Sequence, residues 1–184
     1  VPPRSGEGSG ACGAGVVPYG NVVATPVGWS AERLLAAGGR AEWVGHSSIE
    51  NAHSSEERAA LRRKFGVGPE ETLVALLPGS RRSELSVLAP RLTQTAEVMN
   101  AQRAIRFIAV VPRELAGEAR QHFPASIAVM VDCASELLVA ADAAVVKPGT
   151  ACLEAVLARP PHVALYAFPP GGRAGWALRW AGTR

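Results

Sequence analysis

The residues best placed to do chemistry fall in two short stretches, LLPGSRRSE at 76–84 and KPGTACLE at 147–154. In the first, Gly79 permits a close backbone turn and Ser80 can donate a hydroxyl. Arg81 and Arg82 then supply forks that fit phosphate oxygens. In the second, Gly149 and Thr150 open an apolar helix that carries Glu154 one turn in, a grouping that suits diphosphate oxygens and ribose hydroxyls. Each stretch taken alone also has a plainer reading. Pro-Gly-Ser before arginines describes a helix entry with solvated bases, and Gly-Thr describes an ordinary N-cap. Set at one edge of one sheet, the pair points to a nucleoside diphosphate.

That edge has to be built by the elements around it. Residues 1–20 hold six glycines and three prolines and are expected to be a Gly/Pro-rich leader without a core of its own. A strand–helix segment follows over 21–68. NVVATP reads as a strand, Ser30 caps a helix through SAERLLAAG, and AEWVG is a second strand ending at His46. SSEERAALRRKFG (54–66) reads as a helix with acids in its first turn, bases in its last, and Gly66 as its stop. From residue 69 to 184 apolar strands alternate with helical patterns. The strands are TLVALLP, IRFIAVVP, SIAVMVD, DAAVVKPG and PHVALYAF. Between and after them come LSVLAPRLTQTAEVMNAQ, RELAGEARQHF, ASELLVAA, TACLEAVLA and a last helix RAGWALRW. Continuously apolar strands, each followed by a helix, predict an α/β fold: a doubly wound, Rossmann-like parallel sheet covered on both faces. In such a sheet ligands bind at the carboxyl ends of the strands, where the two stretches fall.

Several chemistries are disfavoured. There is no G-x-x-x-x-G-K-[ST] loop, no G-x-G-x-x-G after a strand and no G-x-S-x-G elbow. Cys12, Cys133 and Cys152 are widely spaced, and the histidines lack ligand spacing, so neither a zinc site nor a disulfide framework is expected. The net charge of +3 is compatible with phosphate-bearing partners without requiring one, and nothing indicates nucleic acid. No apolar run approaches the ~20 residues of a membrane span. A cytoplasmic chain, soluble or peripheral, is the expectation. Trp176 and Trp180, on one helical face with arginines around them, fit an interfacial patch or packing against a further segment. His46 has a ligand-contacting and a structural reading, and Asp132 and Asp142 read as cap or loop residues.

In their order and spacing, ATPVGWSAERLLAAGGRAEWVGH (24–46), LVALLPGSRRSE (73–84) and AADAAVVKPGTACLEAVLARPPHVALY (140–166) resemble the nucleotide-sugar half of lipid-A-disaccharide synthase, an inverting GT-B glycosyltransferase. The resemblance covers roughly residues 21–180. It implies one half of a GT-B architecture and transfer of diacylglucosamine from its UDP conjugate to diacylglucosamine 1-phosphate, with no metal or other cofactor. By the same resemblance Gly79, Ser80 and Arg81 cradle the UDP diphosphate, Gly149 and Thr150 lie beside it, and Glu154 accepts from ribose hydroxyls. The general base lies in the family's other half. Donor binding with little or no transfer is therefore expected of this chain, which stops short of the family's closing helices. The partners implied are the UDP-sugar donor and the acylated glucosamine phosphate acceptor, with room for contact with the cytoplasmic membrane face and for a homodimer. Two departures stand out: Ser47 follows W-V-G-H where the family has Pro, and Lys147-Pro148 replaces a small residue and Ser. Other readings of the same fold and corners are another GT-B enzyme, such as a UDP-sugar epimerase, and a non-catalytic nucleotide-sugar-binding domain.

Overall fold

Strand β3 (Thr72–Leu77) organises the larger part of the chain, because nearly all its side chains are apolar and both its faces are therefore driven out of water. The computed structural model describes residues 22–49 and 58–167. It divides the chain into two compact units, Val1–Glu50 and Asn51–Arg184.

In the first unit β1 (Val23–Thr25), helix α1 (Gly28–Ala36) and β2 (Ala41–Trp43) form a small parallel β–α–β unit, with Val23 opposite Ala41 and Thr25 opposite Trp43. Helix α1 starts two residues before the expected cap: Val27 stands at its N-cap, and Ser30 lies inside the first turn. Gly38, at φ +80°, supplies the left-handed turn that ends it. His46 precedes a short 3-10 turn (Ser47–Ile49), and its Nδ1 accepts from the Ser48 N–H at 3.1 Å. The imidazole therefore has a structural task.

In the second unit α2 (Arg58–Lys64) leads into β3. Then follow α3 (Arg82–Asn100), β4 (Ile105–Val111), a 3-10 turn (Arg113–Leu115), α4 (Ala116–His122) and β5 (Ala128–Val131). Next come α5 (Ala134–Ala140), β6 (Ala143–Val146), α6 (Thr150–Ala158) and β7 (His162–Ala164). All five strands are parallel, in the order β5-β4-β3-β6-β7. Counted within the sheet, the chain moves outward from β3 to β4 and β5, then returns to the other side of β3 for β6 and β7. This is the doubly wound order, and its reversal point lies between β3 and β6. The period of two along β3 assigns its side chains. Leu73, Ala75 and Leu77 pack with Phe65 of the α2 end, Leu137 and Leu138 of α5, and Ala155 of α6. Val74 and Leu76 pack on the other face with Leu85, Leu88 and Leu92 of α3 and with Ala119 of α4.

Three sequence expectations are corrected. Helix α3 begins at Arg82, three residues before Leu85, and runs unbroken through Pro90 to Asn100. Pro90 sits on the exposed side, so water can reach the Ser86 carbonyl that its missing N–H leaves free. The segment 113–123 splits into a 3-10 turn and the short α4, and β7 spans only His162–Ala164. The leader, the start of the expected 54–66 helix, Cys12, Trp176, Trp180 and the last expected helix fall outside the described residues.

Asp142 fastens the amino ends of β3 and β6. Its Oδ2 accepts from the Leu73 N–H at 2.8 Å, while its own N–H donates to the Leu73 carbonyl at 2.8 Å. Arg58 and the buried Arg62 pair with the same carboxylate at 2.6 and 3.1 Å. Both guanidiniums also donate to the last carbonyls of α5, and Arg62 reaches those of Gly68 and Glu71. Burial alone would raise the Asp142 carboxyl, but the Leu73 hydrogen bond and the two guanidiniums outweigh it and hold the group below the usual aspartate range. A carboxyl depressed in the folded state stabilises fully above its unfolded value, near ~4, and loses that contribution as pH falls through the lower folded value. Thermal melts across pH are expected to show Asp142→Asn less stable than the wild type at neutral pH, with the gap closing below about pH 4. A gap independent of pH would contradict this.

Candidate functional site

The reversal point brings the two glycine corners together. Leu77, the last residue of β3, lies opposite Val146, the last of β6, and the Lys147 N–H donates to the Leu77 carbonyl at 2.9 Å. The chain therefore leaves the sheet at Pro78-Gly79 and at Lys147-Pro148 side by side, at the carboxyl edge where doubly wound sheets bind ligands. Both corners need glycine. Gly79 has φ +109°, and a Cβ there would stand 3.0 Å from the Glu84 Cβ and collide with its Oε2. Gly149, at φ +152° and ψ −152°, occupies a region essentially closed to other residues and forms the N-cap of α6.

The centre of this edge is a residue that sequence reasoning left unassigned. Glu84, in the first turn of α3, reaches back so that its Oε2 accepts from the Ser80 N–H at 3.1 Å. This resembles the carboxylate half of a capping box and explains why α3 starts at Arg82. Its Oε1 pairs with Lys147 at 2.8 Å and with Arg81 at 3.4 Å. Burial would raise the Glu84 carboxyl, but the Lys147 hydrogen bond and charge, the Ser80 N–H and the Arg81 charge together hold it below its ordinary value. It is ionised at neutral pH and links both corners. A three-residue spacing from Arg81 and a place in the first helical turn were visible in the sequence. The cross-strand lysine was not, because it lies 63 residues away (147 − 84).

The six residues expected at the site are distributed as follows. Arg81 is the N-cap residue of α3, extended at φ −124°, and its exposed side chain lines a groove of about 180 Å3 with Ser83, Glu84, Leu88, Lys147, Tyr166 and Ala167. Gly79 and Ser80 form the turn beneath Arg81, the Ser80 amide being engaged by Glu84. Gly149 and Thr150 stand at the neighbouring corner, with Thr150 as the first residue of α6 and exposed. Thr150 is thus not the cap itself. Glu154 is half-buried one turn further along α6. Arg82 turns away and pairs with Glu118 of α4 at 3.6 Å, so of the two arginines Arg81 is the one at the groove. Along the same carboxyl edge, past the ends of β4 and β5, Asp132, at φ +53°, accepts from the Arg113 N–H at 3.1 Å and pairs with its guanidinium at 3.2 Å. The Cys133 thiol is pushed up by burial and by the Glu136 charge against the opposing pull of Lys64, which keeps it protonated.

This geometry can present cations and helix-end amides to an anion, and it positions them rigidly. The rigidity rests on Gly79. Gly79→Ala is expected to destabilise the chain by about 2 kcal/mol, through the positive φ and the displacement of Glu84. Urea unfolding checks this, and a change within ~0.5 kcal/mol would show that the turn is not constrained as described.

Comparison with known proteins bears on the same residues. The family model of lipid-A-disaccharide synthetase matches residues 37–170. The lipid-A-disaccharide synthase of Paraburkholderia xenovorans is 36% identical over 142 residues, which cover 74% of this chain and 36% of the relative. That of Rhodospirillum centenum is 34% identical over 135 residues, covering 70% of this chain and 33% of the relative. The chain thus spans about a third of the length of the curated relatives it matches. Among solved structures, E. coli ADP-heptose lps heptosyltransferase II superposes with a TM-score of 0.48 at 17% identity, over 62% of this chain and 38% of that one. A match running through both glycine corners and most of the doubly wound sheet establishes the relationship: the chain belongs to the lipid-A-disaccharide synthetase family.

Proposed function

We propose that this chain carries the donor site of a lipid-A-disaccharide synthase-type hexosyltransferase. It holds UDP-2,3-diacylglucosamine, whose sugar passes with inversion to 2,3-diacylglucosamine 1-phosphate in lipid A biosynthesis. The observation that carries the reading is the meeting of Gly79-Ser80-Arg81 and Gly149-Thr150 at the reversal point of the sheet. There the diphosphate lies against Arg81 and the opening turns of α3 and α6, with Glu154 toward the ribose hydroxyls. When the glycosidic bond to phosphate breaks, negative charge collects on the departing UDP. Donors already fixed in place stabilise that charge without reorganising. Transfer also requires a base for the acceptor hydroxyl. Glu84, the one carboxylate lining the groove among the described residues, is ionised but committed to Lys147, Arg81 and the Ser80 amide, so in this reading it is not that base. The general base comes from the acceptor half of a two-domain, GT-B arrangement. Acylated substrates present themselves at a lipid surface, so the reading entails peripheral contact with the membrane. Among the described residues no helix is long and apolar enough to cross one.

Calorimetric titration of the chain with UDP tests the reading. Millimolar or tighter binding is expected, weakened about tenfold in Arg81→Ala, as for loss of one charge-assisted contact. Absence of UDP binding by the wild type would remove the donor-site reading.

A further inference from the structure

Among the described residues the groove is lined by two cations, Arg81 and Lys147, and one carboxylate, Glu84, and the family resemblance assigns a role to only one of the cations. Lys147 leaves the carboxyl end of β6 with its backbone fixed to Leu77, directly beside the turn that presents Arg81. Its side chain is 18% exposed and that of Glu84 16%, so their 2.8 Å contact is shielded from bulk water, whereas Arg81 is 76% exposed. A shielded cation at the wall of a groove acts on a bound anion more strongly than a solvated one, because less water screens it. Among the described residues that line the groove, Glu84 offsets one of the two positive charges. An ammonium carries three donors, and the Glu84 Oε1 takes one of them. The Tyr166 ring lies 5.8 Å from Nζ and forms the next part of the wall. Pro148 and the Gly149 cap follow immediately, so the lysine stem emerges from a backbone constrained on both sides.

Resting on the donor-site reading above, we infer that Lys147 is a second diphosphate-binding residue, beside Arg81 at the groove, and that Glu84 is the positioning residue that holds both cations there. The ligand class is a nucleoside diphosphate, whose two phosphate groups engage two cations from two different corners. A nucleoside lacking phosphate gains nothing from Lys147. That difference separates binding from a purely structural ion pair, whose loss would loosen the groove for both ligands alike.

The affinities of UDP and of uridine, measured by ligand-observed NMR on wild type, Lys147→Gln and Lys147→Arg, test this. Gln keeps a donor for Glu84 and removes the charge, and thermal melts of each variant report whether the fold is kept. Lys147→Gln is expected to weaken UDP by about tenfold, with uridine unchanged within about twofold, and Lys147→Arg to recover most of the loss. An unchanged UDP-to-uridine ratio in Lys147→Gln, with the wild type preferring UDP, would overturn the role of Lys147 and leave the donor site standing. An equal loss for both ligands together with a lowered melting temperature would likewise overturn it in favour of a structural pair. A wild type with no preference for UDP would overturn the donor-site reading and this inference with it.

Discussion

Strand β3 has a parallel neighbour on each side and apolar partners on each face, so no part of it can shift without disturbing four other surfaces. A one-residue slip would exchange Leu73, Ala75 and Leu77 with Val74 and Leu76 and place each set against helices built for the other. Its register against β6 then decides where the chain leaves the sheet, and so where Gly79 and Gly149 stand. The candidate site is in this sense a consequence of core packing. Its loops are short because the strands already deliver their ends to the same place.

Two carboxylates clamp that register from opposite ends. Asp142 ties the amino end of β6 to Leu73, and Glu84 ties Lys147, at the carboxyl end of β6, to the turn after β3. Both carboxyls are held below their ordinary values although burial pushes the other way, so in each case hydrogen bonds and cations dominate desolvation. The surroundings nevertheless differ in kind. Asp142 is saturated by Arg58, Arg62 and backbone, which leaves it a structural part. Glu84 gathers Arg81 and Lys147 at a groove, which places it in the wall of the proposed donor site.

The doubly wound sheet was legible because β3 and β4 are continuous apolar runs and because helical patterns of adequate length separate the strands. The glycine corners were legible for a related reason: Gly79 and Gly149 occupy backbone states that favour glycine, and such residues follow strands in the sequence itself. What stayed hidden depends on distance along the chain. Lys147 and Glu84 are 63 positions apart (147 − 84), and Asp142 meets Leu73 across 69, so neither pair leaves a local trace. The start of α3 was misjudged because Arg82, Ser83 and Glu84 are polar and resemble a loop, whereas the reach of Glu84 back to the Ser80 amide makes them a first helical turn. His46 lacked any pattern that could reveal its structural contact, the Nδ1 that accepts from the Ser48 amide.

On the proposed donor site, a nucleoside diphosphate binds where β3 and β6 end. Backbone amide shifts of the isotope-labelled chain, followed by NMR as UDP is added, test it most directly. The largest changes are expected on Gly79 through Glu84 and on Lys147, Gly149 and Thr150, with little change at Asp142 or along β5. Shifts concentrated away from these corners, or no shifts at millimolar UDP, would contradict it.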